Sequence, residues 1–162
     1  MLLAPVRLLF MAAFLISAGA LAAAYAVQTW AYLTPCALCY TQRAWLAAAA
    51  VLSLLGIWLA PRAVLGRAFA LALLGCCGAG AAAALRQLWL QTQVEPAQAL
   101  DLLNADNGTR LHALPHSLAA YVLGTPDCGL VNWSFLGLSL PEWSLLNFCL
   151  LAALSAGAIL RR

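Results

Sequence analysis

Charge is what this sequence has least of: only 8% of its 162 residues are Asp, Glu, Lys or Arg, where an ordinary soluble domain carries about 25%. Lysine is absent altogether, so all 8 basic residues are arginines. No glycine-rich phosphate loop, internal repeat or low-complexity linker interrupts the chain, which removes nucleotide-driven chemistry and solenoid architectures from consideration. The net charge of +3 is small and segregated along the chain, and topology accounts for it better than a nucleic-acid surface does. No segment long and polar enough for a sizeable soluble domain remains either.

What is abundant is hydrocarbon, since 65% of the residues are apolar. Four runs, at 8–27, 44–60, 68–85 and 144–160, contain no charged residue. Each has about the 17 to 25 residues that a helix needs to cross a bilayer. The expectation is an all-α membrane protein: a four-transmembrane-helix bundle forming one integral membrane domain over residues 1–162. Its loops on one side are short (28–43) and long (91–143). The first run also has the ingredients of a signal peptide, but it exceeds the length of a signal h-region, and its removal would leave three spans. We therefore expect it to be retained.

Arginine orients the bundle. Arg7, Arg62, Arg67, Arg161 and Arg162 fall at the N-terminus, the turn between the second and third runs, and the C-terminus. By the positive-inside rule these are cytoplasmic. The five acids, Glu95, Asp101, Asp106, Asp127 and Glu142, all lie in the long loop, which is then periplasmic if the membrane is a bacterial inner membrane. Trp30, Tyr32, Tyr40, Trp45, Trp89 and Trp143 gather at the same ends of the spans, as an interfacial belt would.

Three cysteines occupy the outer loops: Cys36 and Cys39 in "LTPCALCYTQR" and Cys128 in "GTPDCG". The periplasm is a compartment where disulfides form and persist. Pro35 and the apolar run that follows put Cys36 and Cys39 at or just before a helix N-terminus, where the helix dipole favours thiolates, the reactive form in disulfide exchange. Arg43 follows Cys39 by four residues, on the same helix face. It reads either as a snorkelling anchor or as a fixed cation beside Cys39 and an electron acceptor. Dithiol oxidation at the lipid boundary, in a chain without a nucleotide motif, calls for an acceptor dissolved in the membrane, and a quinone suits that need. Covalent haem is not indicated, because Tyr40 rather than histidine follows Cys39. Cys76, Cys77 and Cys149 lie within spans and read as small packing residues. His112 and His116 flank Pro115 in "RLHALPHSLAAYVL", which we read as a short interfacial segment with solvated histidines rather than a metal site.

These stretches resemble the DsbB type of disulfide bond formation protein. "PCALCYTQR" is similar to that family's first-loop motif, "RQLWLQ" to its exit from the third span, and "GTPDCGLVNWSFLGLSLPEWSLL" to the end of its second loop. The resemblance implies a quinone-dependent thiol oxidase, using ubiquinone or menaquinone, that reoxidises a periplasmic partner of the DsbA type. It implies Cys36 and Cys39 as the redox pair, Cys39 facing the quinone, Arg43 as the quinone-side cation, and Cys128 as the loop cysteine communicating with Cys36. One departure stands out: the family's second loop carries another cysteine upstream, whereas "VEPAQALDLLNADNG" has none. Cys128 then pairs with Cys36, or the partner attacks Cys36–Cys39 directly, or the chain is partly disabled. Two other classes stay open at this point. One is a vitamin K epoxide reductase-like quinone enzyme, whose CxxC belongs near the last span. The other is a thiol protein binding a soft metal without catalysis.

Overall fold

The computed structural model describes residues 3–59, 63–93, 118–131 and 133–160. Helices α1 (Leu3–Trp30), α2 (Ala37–Leu59) and α3 (Ala63–Gln93) come first, followed by the short α4 (Leu118–Leu123). A 3-10 turn at Pro126–Gly129, a hairpin of β1 (Ser134–Phe135) and β2 (Leu138–Ser139), and the last helix α5 (Leu140–Leu160) complete the chain. His112, His116, Glu95, Asp101, Asp106, Arg62, Arg161 and Arg162 lie outside the described residues. Of the interfacial segment expected over 110–123, only the α4 residues are described.

Helices α1, α2, α3 and α5 are each long and apolar enough to cross a membrane. Each packs on its sequence neighbours and α5 closes onto α1, giving the four-helix membrane bundle that the apolar runs predict. The helices outrun those apolar stretches: α2 begins at Ala37 and α3 continues to Gln93. At about 1.5 Å per residue, α3 exceeds the roughly 30 Å hydrocarbon thickness. Its last turns therefore rise into the cap that carries the loop cysteines.

Bulky side chains on one helix meet small residues on the next. The Phe10 ring of α1 lies over Gly56 of α2, where an added Cβ would fall 2.6 Å from the ring. Phe148 of α5 likewise fills the space above Gly80 of α3. Lipid offers no hydrophobic drive for helices to associate, so such close approach supplies the attraction. Polar glue is sparse: Ser155 Oγ donates to the Ala70 carbonyl across α5 and α3 at 2.5 Å, and Ser17 Oγ bonds back to Ala13 within α1 at 2.7 Å.

The hairpin and the start of α5 are built from local signals. Leu136 and Gly137 both take positive φ, 54° and 81°, which is the backbone of a tight two-residue hairpin turn. Glu142 supplies half of a capping box, its carboxylate reaching back to accept from the Ser139 N–H at 2.6 Å and from the Ser139 hydroxyl at 2.8 Å. That pairing stops the hairpin and starts the helix. Trp133 stacks on Phe135 at 5.9 Å, and the Trp143 Nε1–H donates to the Phe135 carbonyl at 3.1 Å.

Candidate functional site

Cys36 stands at the N-cap of α2: its carbonyl accepts the first helical hydrogen bond, from the Tyr40 N–H at 3.3 Å. Cys39 is one turn on, and the two sulfurs are 3.1 Å apart. Cys128 arrives from the other loop. Cys36, Ala37, Leu38 and Cys128 form a buried cluster of their own, against which Cys39, Leu90, Ala120 and Tyr121 pack. Cys36 shares this cluster with Cys128 and lies 3.1 Å from Cys39, so it neighbours both of the other thiols.

The segment that delivers Cys128 is tied down at two places. Thr41 Oγ1 donates to the Tyr121 carbonyl at 2.7 Å, holding α4 on α2. Arg86 Nε donates to the Leu123 carbonyl at 3.1 Å, its guanidinium lying 4.3 Å from the Trp89 ring. Gly124, at φ +85°, then turns the chain inward where a Cβ would meet Leu90 at 2.6 Å and Leu38 at 2.8 Å, so only glycine suits this corner. Cys128 follows, its N–H bonded to the Thr125 carbonyl at 2.9 Å.

Hydrogen bonding decides which thiol ionises most readily. Cys128 is lowered to about 6, chiefly because the Cys36 thiol donates to it, with the Thr125 hydroxyl and the Leu38 N–H helping against the cost of burial. Cys36 moves the opposite way: bonding to both neighbouring sulfurs and burial hold its proton on. The Leu38 N–H that helps lower Cys128 belongs to the first turn of α2, so that helix start also favours a thiolate arriving from the other loop.

Arg43 is fixed differently from the sequence picture. Its guanidinium donates to Gln28 Oε1 and to the Ala24 carbonyl at 3.3 Å, both on α1, and lies 4.8 Å from the Tyr25 ring. Cys39 instead receives its polar contact from Gln87 of α3, whose Nε2 is 3.5 Å from Cys39 and 3.6 Å from Cys36. Gln87 in turn accepts from Gln42 Nε2 at 2.7 Å. Gln87 lies within "RQLWLQ", and sequence alone gives it no role. Its signal was polarity without charge in an apolar helix, but nothing local pairs it with cysteines on another helix.

A cavity of about 280 Å³ opens beside Cys39. Ala20, Ala23, Ala24 and Val27 of α1 and Leu46 of α2 make its apolar wall; Cys39, Gln42 and Arg43 form a polar end, with Trp133, Phe135 and Trp143 across from it. A smaller cleft reaches Cys36 and Cys39 past Pro35, Asp127 and Gln91. The remaining cysteines stand apart from this centre. Cys76 donates to the Trp45 carbonyl at 3.2 Å, Cys77 is buried in the bundle core, and Cys149 is on the exposed side of α5.

Fold and site together define a multi-pass membrane protein with a three-thiol centre capping one end of a helical bundle. The family model described as disulfide bond formation protein DsbB matches residues 6–158. Disulfide bond formation protein B of Marinobacter nauticus is 39% identical, over 96% of this chain and 93% of that protein. Disulfide bond formation protein B 2 of Pseudomonas entomophila is 39% identical over 95% and 90%, and disulfide bond formation protein B of Stutzerimonas stutzeri is 38% identical over 100% and 99%. No solved structure matches. The chain belongs to the DsbB family of disulfide bond formation proteins.

Proposed function

We propose that this protein is a thiol oxidase that draws electrons from a reduced periplasmic dithiol protein of the DsbA type and hands them to a membrane quinone. The observation that carries the reading is the position of Cys36, 3.1 Å from Cys39 and packed in one buried cluster with Cys128. Three cysteines hold one disulfide and one thiol at a time. With Cys36–Cys39 closed, the Cys128 thiolate attacks Cys36; the Cys36–Cys128 bond forms, the Cys36–Cys39 bond breaks, and Cys39 leaves as a thiolate beside the cavity. A partner thiolate then attacks Cys128 and expels Cys36. The partner's second thiol attacks the mixed disulfide and releases Cys128, which leaves the partner oxidised and Cys36 and Cys39 reduced.

The cavity fits a quinone headgroup in kind and size: apolar side walls, aromatic rings, and the Arg43 cation near the thiol that must be reoxidised. Bound there, a quinone would take two electrons and two protons as the Cys36–Cys39 disulfide closes. Arg43, pinned through Gln28 and Ala24, supplies a fixed positive charge at that end with no reorganisation during the step.

The loop count favours this relay because Cys128 has no upstream loop cysteine as its own partner. A second route is favoured by exposure. Cys128 is wholly buried, whereas Cys36 keeps 8% of its surface accessible and lines a cleft.

Purified protein in detergent, given a reduced partner and a quinone, tests the reading by loss of quinone absorbance. Cys36→Ser and Cys39→Ser are expected to abolish turnover, and turnover that survives both changes would sink the proposal. Cys128→Ser separates the routes: a loss of tenfold or more marks the relay, and near-normal turnover marks direct attack at Cys36. Stoichiometric soft metal on an inactive protein would instead point to a metal-binding thiol protein.

A further inference from the structure

Gln87 is 4% exposed, buried where the last turns of α3 meet the thiol centre. A buried primary amide has to be hydrogen-bonded at both ends. Here the oxygen end is taken by Gln42 Nε2 at 2.7 Å, and Gln42 is itself 4% exposed. With the oxygen occupied, the amide nitrogen faces the two sulfurs, 3.5 Å from Cys39 and 3.6 Å from Cys36. Its oxygen is farther from Cys39, at 3.8 Å. Arg43, the nearby cation, spends its hydrogen bonds on α1.

We propose that Gln87 is a catalytic residue of this centre, its amide N–H stabilising the negative sulfur of the reduced Cys36–Cys39 pair, and that Gln42 is the positioning residue that keeps the amide turned the right way. The inference rests on the thiol-oxidase reading and deepens it. An N–H donor interacts weakly with the neutral sulfurs of a disulfide and strongly with a thiolate. In a low-dielectric site that difference is large. The amide therefore favours the reduced form over the oxidised one, which makes the Cys36–Cys39 disulfide a stronger oxidant. It also eases the departure of Cys39 when Cys36 is attacked, because the leaving thiolate is met by a donor already in place. No atom or electron is added to the exchange: the amide is the same before and after.

The test uses full-length protein carrying Cys128→Ser, so that Cys36–Cys39 is the pair under study. Its equilibrium with a glutathione buffer is read by alkylation and mass shift, alongside thermal melting. Gln87→Leu is expected to shift the equilibrium about tenfold toward the disulfide, equivalent to about 30 mV. Gln87→Glu should shift it further the same way, since a carboxylate repels the thiolate where the amide attracted it. Gln42→Leu should give a smaller shift of the same sign, because the amide remains but is free to turn. A Gln87→Leu equilibrium within twofold of the parent, or a Gln87→Glu shift toward the thiols, overturns the proposal. Should Gln87→Leu fail to fold, Gln87→Met and Gln42→Leu give the same reading. The thiol-oxidase function stands or falls separately, on partner-dependent quinone reduction by the otherwise unaltered chain and its loss in Cys39→Ser.

Discussion

At the scale of single residues, the fold gives three chemically identical thiols three different tasks. Cys36 keeps its proton because it donates to its neighbours, and Cys128 gives its proton up because it receives. With the Cys128 thiol lowered to about 6, it is mostly thiolate above that pH and mostly thiol below it. An ordinary cysteine stays largely protonated up to about 8.5. The ultraviolet thiolate absorbance lost on Cys128→Ser should therefore titrate near pH 6 in the reduced protein. A midpoint between about 8 and 9 would show that Cys36 does not donate as described. Cys36→Ala, which removes the main donor, should move that midpoint up toward the ordinary range, while Cys36→Ser, keeping an O–H, should move it less. The cysteines and Arg43 were legible from sequence because each carries a motif or a position at the end of a span. Gln87 and Gln42 were not, because their meaning depends on a contact between helices, 45 residues apart in the chain.

At the scale of elements, the segment carrying Cys128 is a short helix and a 3-10 turn joined by Gly124 and Thr125. Gly124→Ala places a methyl against Leu90 and Leu38 and strains a backbone at φ +85°, a conformation that costs a side-chain-bearing residue about 1 to 3 kcal/mol. The cheapest relief is for the turn to swing outward, carrying Cys128 off Cys36. Formation of the Cys36–Cys128 disulfide under mild oxidant should slow by tenfold or more in Gly124→Ala, followed by non-reducing gel shift in a Cys39→Ser background. An unchanged rate would mean that the corner does not set the distance. Hydropathy located the four long helices and missed their ends. Thr41, Gln42, Arg43 and Gln87 fall outside the apolar runs, yet all sit within helices, where Tyr121, Gln28, Ala24 and each other satisfy them. The hairpin before α5 left little trace either, since its turn relies on Leu136 at φ 54°, a conformation that sequence rarely assigns to leucine.

Across the whole molecule, the two ends of the bundle differ in charge and chemistry. Arg7 at the start of α1 donates to the Ile57 carbonyl at the end of α2, at 3.2 Å, and Arg67 lies in the first turns of α3. The thiol centre is at the opposite end, where α2 begins and α3 finishes. Arg43 and Arg86 belong to the thiol end, but both are engaged there, by hydrogen bonds to α1 and to the Leu123 carbonyl. In the sequence, Arg7, Arg62, Arg67, Arg161 and Arg162 flank the spans at the two termini and the 60–67 turn, and arginine at such places resists translocation. We therefore expect the Arg7 and Arg67 end to face the cytoplasm of a bacterial inner membrane, with the three thiols on the periplasmic side. Alkaline phosphatase fused after Gln93 should be active and fused after Leu59 inactive, because the enzyme folds only once exported. The reverse pattern would turn the thiol centre toward a reducing compartment, where the disulfide relay could not be sustained, and would overturn the orientation and the proposed function together.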